Sequence, residues 1–528
     1  MTLAEPPKLT LRAELLAQLA APQTFDVTVV GGGATGLGVA LEAASRGYSV
    51  VLLESHAFAK GTSSRATKLV HGGVRYLAQG NLALVREALH ERSVLLKNAP
   101  HLAQPLAFVM PSYKYWEAPF YGVGLKLYDL LAGASGLGKT EFLSRRGTLQ
   151  CLPTVQPQGL KGGVKYWDGQ FDDARLALAL ARTAAQQSAL LVNYCPVTGF
   201  IQEDGQLAGV HARDEETGQT FDVRAGCVVN AAGVWVDELR ALDGAAAGKT
   251  VTPMVAPSQG VHLVVDRSFW PTDHALLVPK TRDGRVLFAV PWLGKVILGT
   301  TDTPRNDLAR EPLAFKHEVD FILNESARYL TRAPLEADVL SIWVGLRPLV
   351  KPPEKEGRST KGISREHTVL ISGSGLITVT GGKWTTYRAM AEDVLRHGVD
   401  AELLQGRGSS VTAALPLVGA VPSRHKISET SGLHSYGAEE DIVRTLEGHD
   451  RWLCPGLSEA MVRFAARYEY ARTVEDMLAR RSRILFLDAK VAESMAADVA
   501  RLLKVETGID PQLGAFLALC HIYRTLPS

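Results

Sequence analysis

Gly31, Gly33 and Gly36 form the pattern G-x-G-x-x-G, the first grouping in the chain whose residue types and spacing can do chemistry. Gly31 permits a tight turn, Gly33 leaves no side chain where a pyrophosphate must approach, and Gly36 lets a helix pack closely on a strand. The helix opening at Ala34 and Thr35 offers N–H groups and a partial positive charge to the phosphates. Glu54 lies 18 residues beyond Gly36 and can accept hydrogen bonds from a ribose 2′-hydroxyl while repelling a 2′-phosphate. A tight turn that binds nothing would use the same glycines, so the surrounding elements decide.

Those elements are present. Residues 25–30, with Val27, Val29 and Val30, read as a buried parallel strand running into the glycines. A helical stretch continues to Arg46 and stops at Gly47, and a second strand over 49–53 ends at Glu54. This is one βαβ unit. Strands and helices alternate again over 172–232. Over 250–303 the pattern changes to hairpins, with strands at 261–265, 275–279, 285–291 and 295–300 separated by turns such as Asp283-Gly284. A strand at 376–380 precedes Gly381-Gly382 and a helix from Thr385 to Arg396. Residues 405–432, rich in Gly, Ser, Pro and Thr, read as a linker, and 438–526 as mostly helical. One amphipathic helix is expected over 9–20.

The composition is ordinary for a globular chain: 528 residues, 46% hydrophobic and 21% charged, which excludes a wholly disordered chain and suggests three or four units. With 57 Lys+Arg against 55 Asp+Glu, the net charge of +2 gives no reason to expect nucleic acid. The five cysteines contain no C-x-x-C pair, so no metal site is expected and a reducing compartment is. No apolar run has the length of a transmembrane helix. The first 21 residues carry Glu5, Lys8, Arg12 and Glu14 and read as neither a signal nor a transit peptide.

Three further segments are more specific than the glycines. They are S-x-x-x-K-L-x-H-G-G-x-R-Y over 64–76, N-A-A-G-V-W over 230–235, and G-G-K-x-T-T-Y-R over 381–388, joined by Gly345-Leu346-Arg347-Pro348-Leu349. With them the chain resembles the FAD-dependent glycerol-3-phosphate dehydrogenases, respiratory enzymes of the D-amino-acid-oxidase-like flavoprotein superfamily. The resemblance runs from about Phe25 to Met390 and more loosely beyond. It implies an α/β fold with a split Rossmann-like FAD-binding domain, an antiparallel-sheet substrate domain and a C-terminal helical cap. The boundaries expected are an N-terminal extension at 1–24, the FAD domain at 25–110, 160–249 and 345–404, the substrate domain at 111–159 and 250–344, a linker at 405–432 and the cap at 433–528.

The resemblance further implies non-covalent FAD. The residues expected to hold it are Gly31, Gly33, Ala34, Thr35, Gly36 and Glu54; Thr62, Ser63, Ser64, Thr67, Lys68, Leu69, His71, Gly72 and Gly73; and Ala232, Gly233, Gly382, Lys383 and Thr385. A helix starting near Thr385 would direct N–H groups at the flavin pyrimidine ring and favour the reduced state, although a plain helix cap would look the same. The implied reaction oxidises sn-glycerol 3-phosphate to dihydroxyacetone phosphate by hydride transfer to flavin, with electrons passed to a membrane quinone. Arg75, Tyr76, Arg347, Arg365 and Lys383 are implied around the substrate phosphate, which needs guanidinium or ammonium partners. His262 is expected at the substrate and is a candidate base with His71, which precedes Gly72-Gly73 in the flavin loop. Arg347, Lys383 and His262 are the expected catalytic residues. The base itself stays open between a histidine, an arginine and water.

Tyr113-Lys114-Tyr115-Trp116, Phe120-Tyr121 and Leu125-Lys126-Leu127-Tyr128 mix aromatics with lysine as an interfacial segment does, and Arg480-Arg481-Ser482-Arg483 adds a basic cluster. Core packing and a solvated or ion-paired helix face are the competing readings. The family implies a cytoplasmic protein bound peripherally to the inner face of the cytoplasmic membrane, with a homodimer allowed. Two alternatives share the pattern: an α-glycerophosphate oxidase that uses oxygen, and a non-enzymatic protein stabilised by flavin.

Overall fold

In the computed structural model, which describes residues 7–73, 81–246, 248–281, 284–351 and 367–527, two large sheets meet along one face. The valine-rich strand Thr24–Val30 is central in the first, where Val27 and Val29 are fully buried. It pairs in parallel with Val50–Leu53 on one side and Thr220–Asn230 on the other. Leu190–Val192 and Ile377–Gly381 extend the parallel set outward, and His367–Ile371 closes one edge antiparallel. Helices Ala34–Ser45, Asp173–Gln186 and Tyr387–Asp400 cover it, so strands buried on both faces read as continuous apolar runs.

Among the described residues the second sheet has ten strands and is mostly antiparallel. Near one edge runs the long strand Val255–Asp266, flanked by Lys295–Gly299 and by Ser341–Val350. The strands expected as hairpins are hairpins: Ala275–Val278, Leu287–Trp292 and Lys295–Gly299 pair in succession. The segment boundaries expected from sequence do not follow the sheets. Ala103–Ser112 and Gly162–Phe171 pair with each other in the second sheet, although 103–110 and 160–171 were assigned to the FAD domain. Ser341–Val350 likewise pairs along Val255–Asp266 on both sides of residue 345. Apolar runs buried in either sheet look alike, so periodicity cannot allocate a strand between two sheets.

One further expectation is corrected, and one open choice is decided. Residues 405–432 have little regular structure but are not a free linker. Arg407 pairs with Asp26 at 3.0 Å, Leu417 N–H donates to the Asn98 carbonyl at 2.9 Å, and Leu293 N–H donates to the Ile427 carbonyl at 2.8 Å. Leu417 and Ile427 are buried. For the basic cluster Arg480-Arg481-Arg483 the structure shows the ion-paired reading, in the interior and not on a solvated face. All three side chains are buried, with Arg480 on Glu475 and Asp476 (2.7 Å each) and Arg483 on Asp173 (3.1 Å).

The C-terminal helices, chiefly Glu459–Tyr468, Ala489–Thr507 and Leu513–Arg524, therefore share a core with the second sheet. Phe108 and Trp343 pack in the same cluster as Met461, Phe464 and Leu485. At the other end of the chain, the helix Arg12–Ala20 is tied to the first sheet by Arg12, which pairs with the buried Asp214. Among the described residues no helix is long and apolar enough to cross a membrane.

Candidate active site

A cavity of about 2060 Å³ is lined from both sheets. At one end Gly31 turns the chain with φ +111°, a conformation that favours glycine, and its N–H donates to the Leu53 carbonyl at 2.9 Å. Gly36 does not face the cavity; a Cβ there would overlap the Gly31 carbonyl oxygen. Gly33 does face it, and among the described residues a Cβ would meet only Ser63 Oγ, at 3.1 Å. Glu54 ties the turn to the end of the second strand. Its carboxylate accepts from Gly32 N–H at 2.6 Å and from His56 N–H at 2.8 Å while still lining the cavity. A helix N-terminus, a glycine wall and an acidic strand end together fit a dinucleotide.

The loop 62–73 runs beneath the cavity. Thr62, Ser63, Thr67, Leu69, His71 and Gly73 line it. Ser64, Lys68 and Gly72 do not. The Ser64 carbonyl accepts from Lys68 Nζ and from Arg483, both at 2.7 Å. Gly72 is packed so tightly that a Cβ would overlap Tyr128 Oη. Lys68 is fully buried, 2.7 Å from Asp173 and over the rings of Trp343 (4.6 Å) and Trp292 (5.1 Å). Burial, reinforced by the nearby Arg483 charge, outweighs Asp173 and lowers its pKa to about 7.

The far wall is the turn before helix Tyr387–Asp400. Gly381 and Gly382 have φ of +83° and +69°. They bring Lys383, Trp384 and Thr385 to the cavity with Ala232 and Gly233 beside them. Thr385 Oγ1 holds the His71 backbone N–H at 3.3 Å, and Trp384 Nε1 donates to the Ser63 carbonyl at 2.8 Å, so this turn and the 62–73 loop are locked together.

The second sheet supplies the remaining groups. His262 and Trp343 are cross-strand partners, and so are Ser258 and Arg347. The register puts Gly260 opposite Gly345 between them. Both gaps are used: a Cβ on Gly260 would overlap the Arg347 guanidinium, and one on Gly345 would come 2.6 Å from the Arg65 carbonyl oxygen. The Arg347 guanidinium donates to the Thr301 carbonyl at 3.0 Å and lies 3.3 Å from Asp302. His262 Nε2 is 3.0 Å from Thr67 Oγ1. Burial, then the charges of Arg347 and Lys68, hold its pKa well below the ordinary value, so the ring is neutral at pH 7.

The structure thus brings Arg347, His262 and Lys383 into one cavity with the glycine turn. Arg75, Tyr76 and Arg365 lie outside the described residues. Sequence reasoning gave no site role to Gly260, Thr300, Thr301 and Asp302, which line the cavity with Arg347, or to Lys60, Arg310 and Trp235, the last of these in the quoted 230–235 segment. Gly260 carried a signal, since a glycine inside an apolar strand marks a close approach.

The family model for FAD-dependent oxidoreductases matches residues 26–388, and that for the C-terminal domain of alpha-glycerophosphate oxidase matches 410–513. The chain is 40% identical over 546 residues to the mitochondrial glycerol-3-phosphate dehydrogenase of Bos taurus, covering 96% of this chain and 73% of that protein. It is 38% identical to the mitochondrial glycerol-3-phosphate dehydrogenase SDP6 of Arabidopsis thaliana, covering 95% and 86%. The crystal structure of the Bacillus halodurans glycerol-3-phosphate dehydrogenase complexed with FAD superposes with a TM-score of 0.77 at 29% identity, covering 97% of this chain and 98% of that one. The alpha-glycerophosphate oxidase of Mycoplasma pneumoniae, at 18% identity and a TM-score of 0.56, shares the fold.

Proposed function

The chain belongs to the FAD-dependent glycerol-3-phosphate dehydrogenases, and from that premise we propose how its own residues divide the work on sn-glycerol 3-phosphate. FAD, bound along the glycine turn, the 62–73 loop and the turn at Gly382, supplies the hydride acceptor for oxidation of the substrate's secondary carbinol. Arg347 and Lys383 hold the phosphate. Arg347 has a planar fork fixed by Thr301 and Asp302, the arrangement suited to a two-oxygen contact with an anion.

His262 hydrogen-bonds the carbinol oxygen and takes its proton. The free site holds the imidazole at low basicity, in part through the Arg347 charge. A dianionic phosphate on Arg347 offsets that charge, so substrate binding itself strengthens the base. Thr67 orients the ring through its hydroxyl, and Trp343 fixes its plane.

The electron acceptor is a membrane quinone. The observation supporting this is the helix Glu117–Ala132, whose residues Phe120, Val123 and Leu130 are 67%, 68% and 76% exposed. Lys114 and Lys126 lie over neighbouring rings at 5.9 and 5.1 Å, the mixture of aromatic and basic groups that suits a lipid headgroup boundary. Phe120 and Val123 also line the cavity, so a lipid-soluble acceptor could reach it from this face. We place the protein peripherally on the cytoplasmic side of the membrane; its five cysteines, all unpaired, suit a reducing compartment.

The test of the substrate site is a double comparison of wild type and Arg347→Lys on glycerol 3-phosphate and on glycerol. Loss of one charge-assisted fork, at ~1.5–3 kcal/mol, predicts a roughly ten- to hundredfold fall in kcat/KM on the phosphate ester. The slow rate on glycerol should barely change. An equal proportional loss on both would show that Arg347 does not read the phosphate.

A further inference from the structure

The segment 303–315 crosses the dinucleotide end of the cavity and is pinned on both sides. Trp235 Nε1 donates to the Leu308 carbonyl at 3.0 Å. Arg65, from the 62–73 loop, donates to the Arg310 carbonyl at 3.0 Å and to Glu311 at 2.6 Å. Between these anchors the Arg310 guanidinium lies over the Trp235 indole, 3.7 Å from the ring centre. Trp235 in turn sits over Gly61, where a Cβ would come within 3.0 Å of the indole. Arg310, Trp235, Gly61 and Glu54 all line the cavity.

Three cations line this end among the described residues. Lys60 is spent on Glu475, with Nζ 2.8 Å from both carboxylate oxygens, and Arg65 on Glu311. Among the described residues the ion pair of Arg310 is a long one, with Glu238 at 3.9 Å. Its side chain is 40% exposed, yet it feels Glu54 as well as Glu238. Glu54 marks where a ribose of the adenosine half lies in a dinucleotide fold. A planar cation on an indole beside that ribose offers both a charge for the diphosphate and a flat surface for the adenine.

We infer that Arg310, stacked on Trp235, holds the adenosine diphosphate half of FAD and closes the cavity over it. The inference deepens the FAD assignment and is independent of the roles given to Arg347 and Lys383, because its test needs no substrate. Flavin fluorescence is followed as the purified flavoprotein is diluted, for wild type, Arg310→Ala, Arg310→Lys and a control, Arg332→Ala, whose guanidinium lies over the Phe269 ring at 4.2 Å and does not line the cavity. Arg310→Ala should release FAD about ten- to hundredfold faster, the loss of one charge-assisted, stacked contact. Arg310→Lys, which keeps the charge and loses the plane, should fall between. Arg332→Ala should match wild type, and the unfolding midpoints of the flavin-free chains should coincide. FAD release from Arg310→Ala at the wild-type rate would overturn the inference, as would an equal acceleration in Arg332→Ala.

Discussion

His262 and Trp343 lie face to face across two antiparallel strands, ring centres 4.0 Å apart and planes 17° apart. The stack fixes the plane of the imidazole, Nε2 lies 3.0 Å from Thr67 Oγ1, and the ring is buried beside two cations. The free enzyme therefore carries a neutral, weakly basic His262, and activity that depends on it is lost only as pH falls through a pKa well below 6.5. In the pH profile of kcat/KM, which reports the free enzyme, the acid limb should lie lower than in that of kcat, which reports the substrate complex. Arg347→Gln should move the kcat/KM limb upward by removing the charge that depresses the imidazole. Coincident limbs in both profiles, unmoved by Arg347→Gln, would remove His262 as the base.

The second and third glycines of the fingerprint should fail differently. Gly36→Ala places a methyl on the Gly31 carbonyl oxygen, so the turn itself must open. Its cost should reach several kcal/mol, about 1–3 or more for overpacking, and appear as a lowered unfolding midpoint even without flavin. Gly33→Val leaves the protein nearly room enough, with only Ser63 Oγ at 3.1 Å, but fills the space of the pyrophosphate. It should fold with a midpoint near that of flavin-free wild type and bind no FAD. FAD bound at normal stoichiometry by Gly33→Val would contradict this.

The C-terminal helical region should prove inseparable from the site. Arg483 reaches the Ser64 carbonyl and Asp173 beneath the cofactor loop, Arg175 pairs with Glu469 at 2.8 Å, and Arg182 with Glu439 at 2.5 Å. Removing one partner of a buried pair costs about 3–5 kcal/mol because the other charge is stranded. Arg483→Met should therefore lower the unfolding midpoint and loosen FAD, and a chain ending at Arg407 should fail to hold FAD at all. A stable, flavin-loaded chain of 407 residues would refute the integration.

Much of this was legible in sequence, and the failures share a cause. The glycine turn, the strand ends and the position of His262 on an antiparallel strand come from local spacing, which one sequence carries. For Arg480-Arg481-Ser482-Arg483 the sequence leaves a solvated and an ion-paired face open and cannot name the partner, because Asp173 lies 310 residues from Arg483. The same limit explains why nearly all of Ala103–Ser112 and Gly162–Phe171 falls to the FAD domain in the sequence reading rather than to the second sheet: pairing is a non-local fact, and apolar runs do not name their partner.

On the outer face, Phe120→Asp with Val123→Asp should weaken binding to vesicles containing anionic lipid and slow turnover with a long-chain quinone. Turnover with a water-soluble quinone analogue should be unchanged, since the substitutions leave the hydride-transfer end alone. Each buried apolar side chain contributes ~1.5–3 kcal/mol to interfacial binding, so at least a tenfold loss of vesicle affinity is expected. Undiminished affinity would put the membrane contact elsewhere.

The most direct measurement is anaerobic addition of sn-glycerol 3-phosphate to the purified flavoprotein, watching the absorbance of oxidised flavin. The account predicts prompt bleaching, release of dihydroxyacetone phosphate in equal amount, and return of the absorbance when a quinone analogue is added under the same anaerobic conditions. Bound FAD that glycerol 3-phosphate leaves oxidised would contradict it.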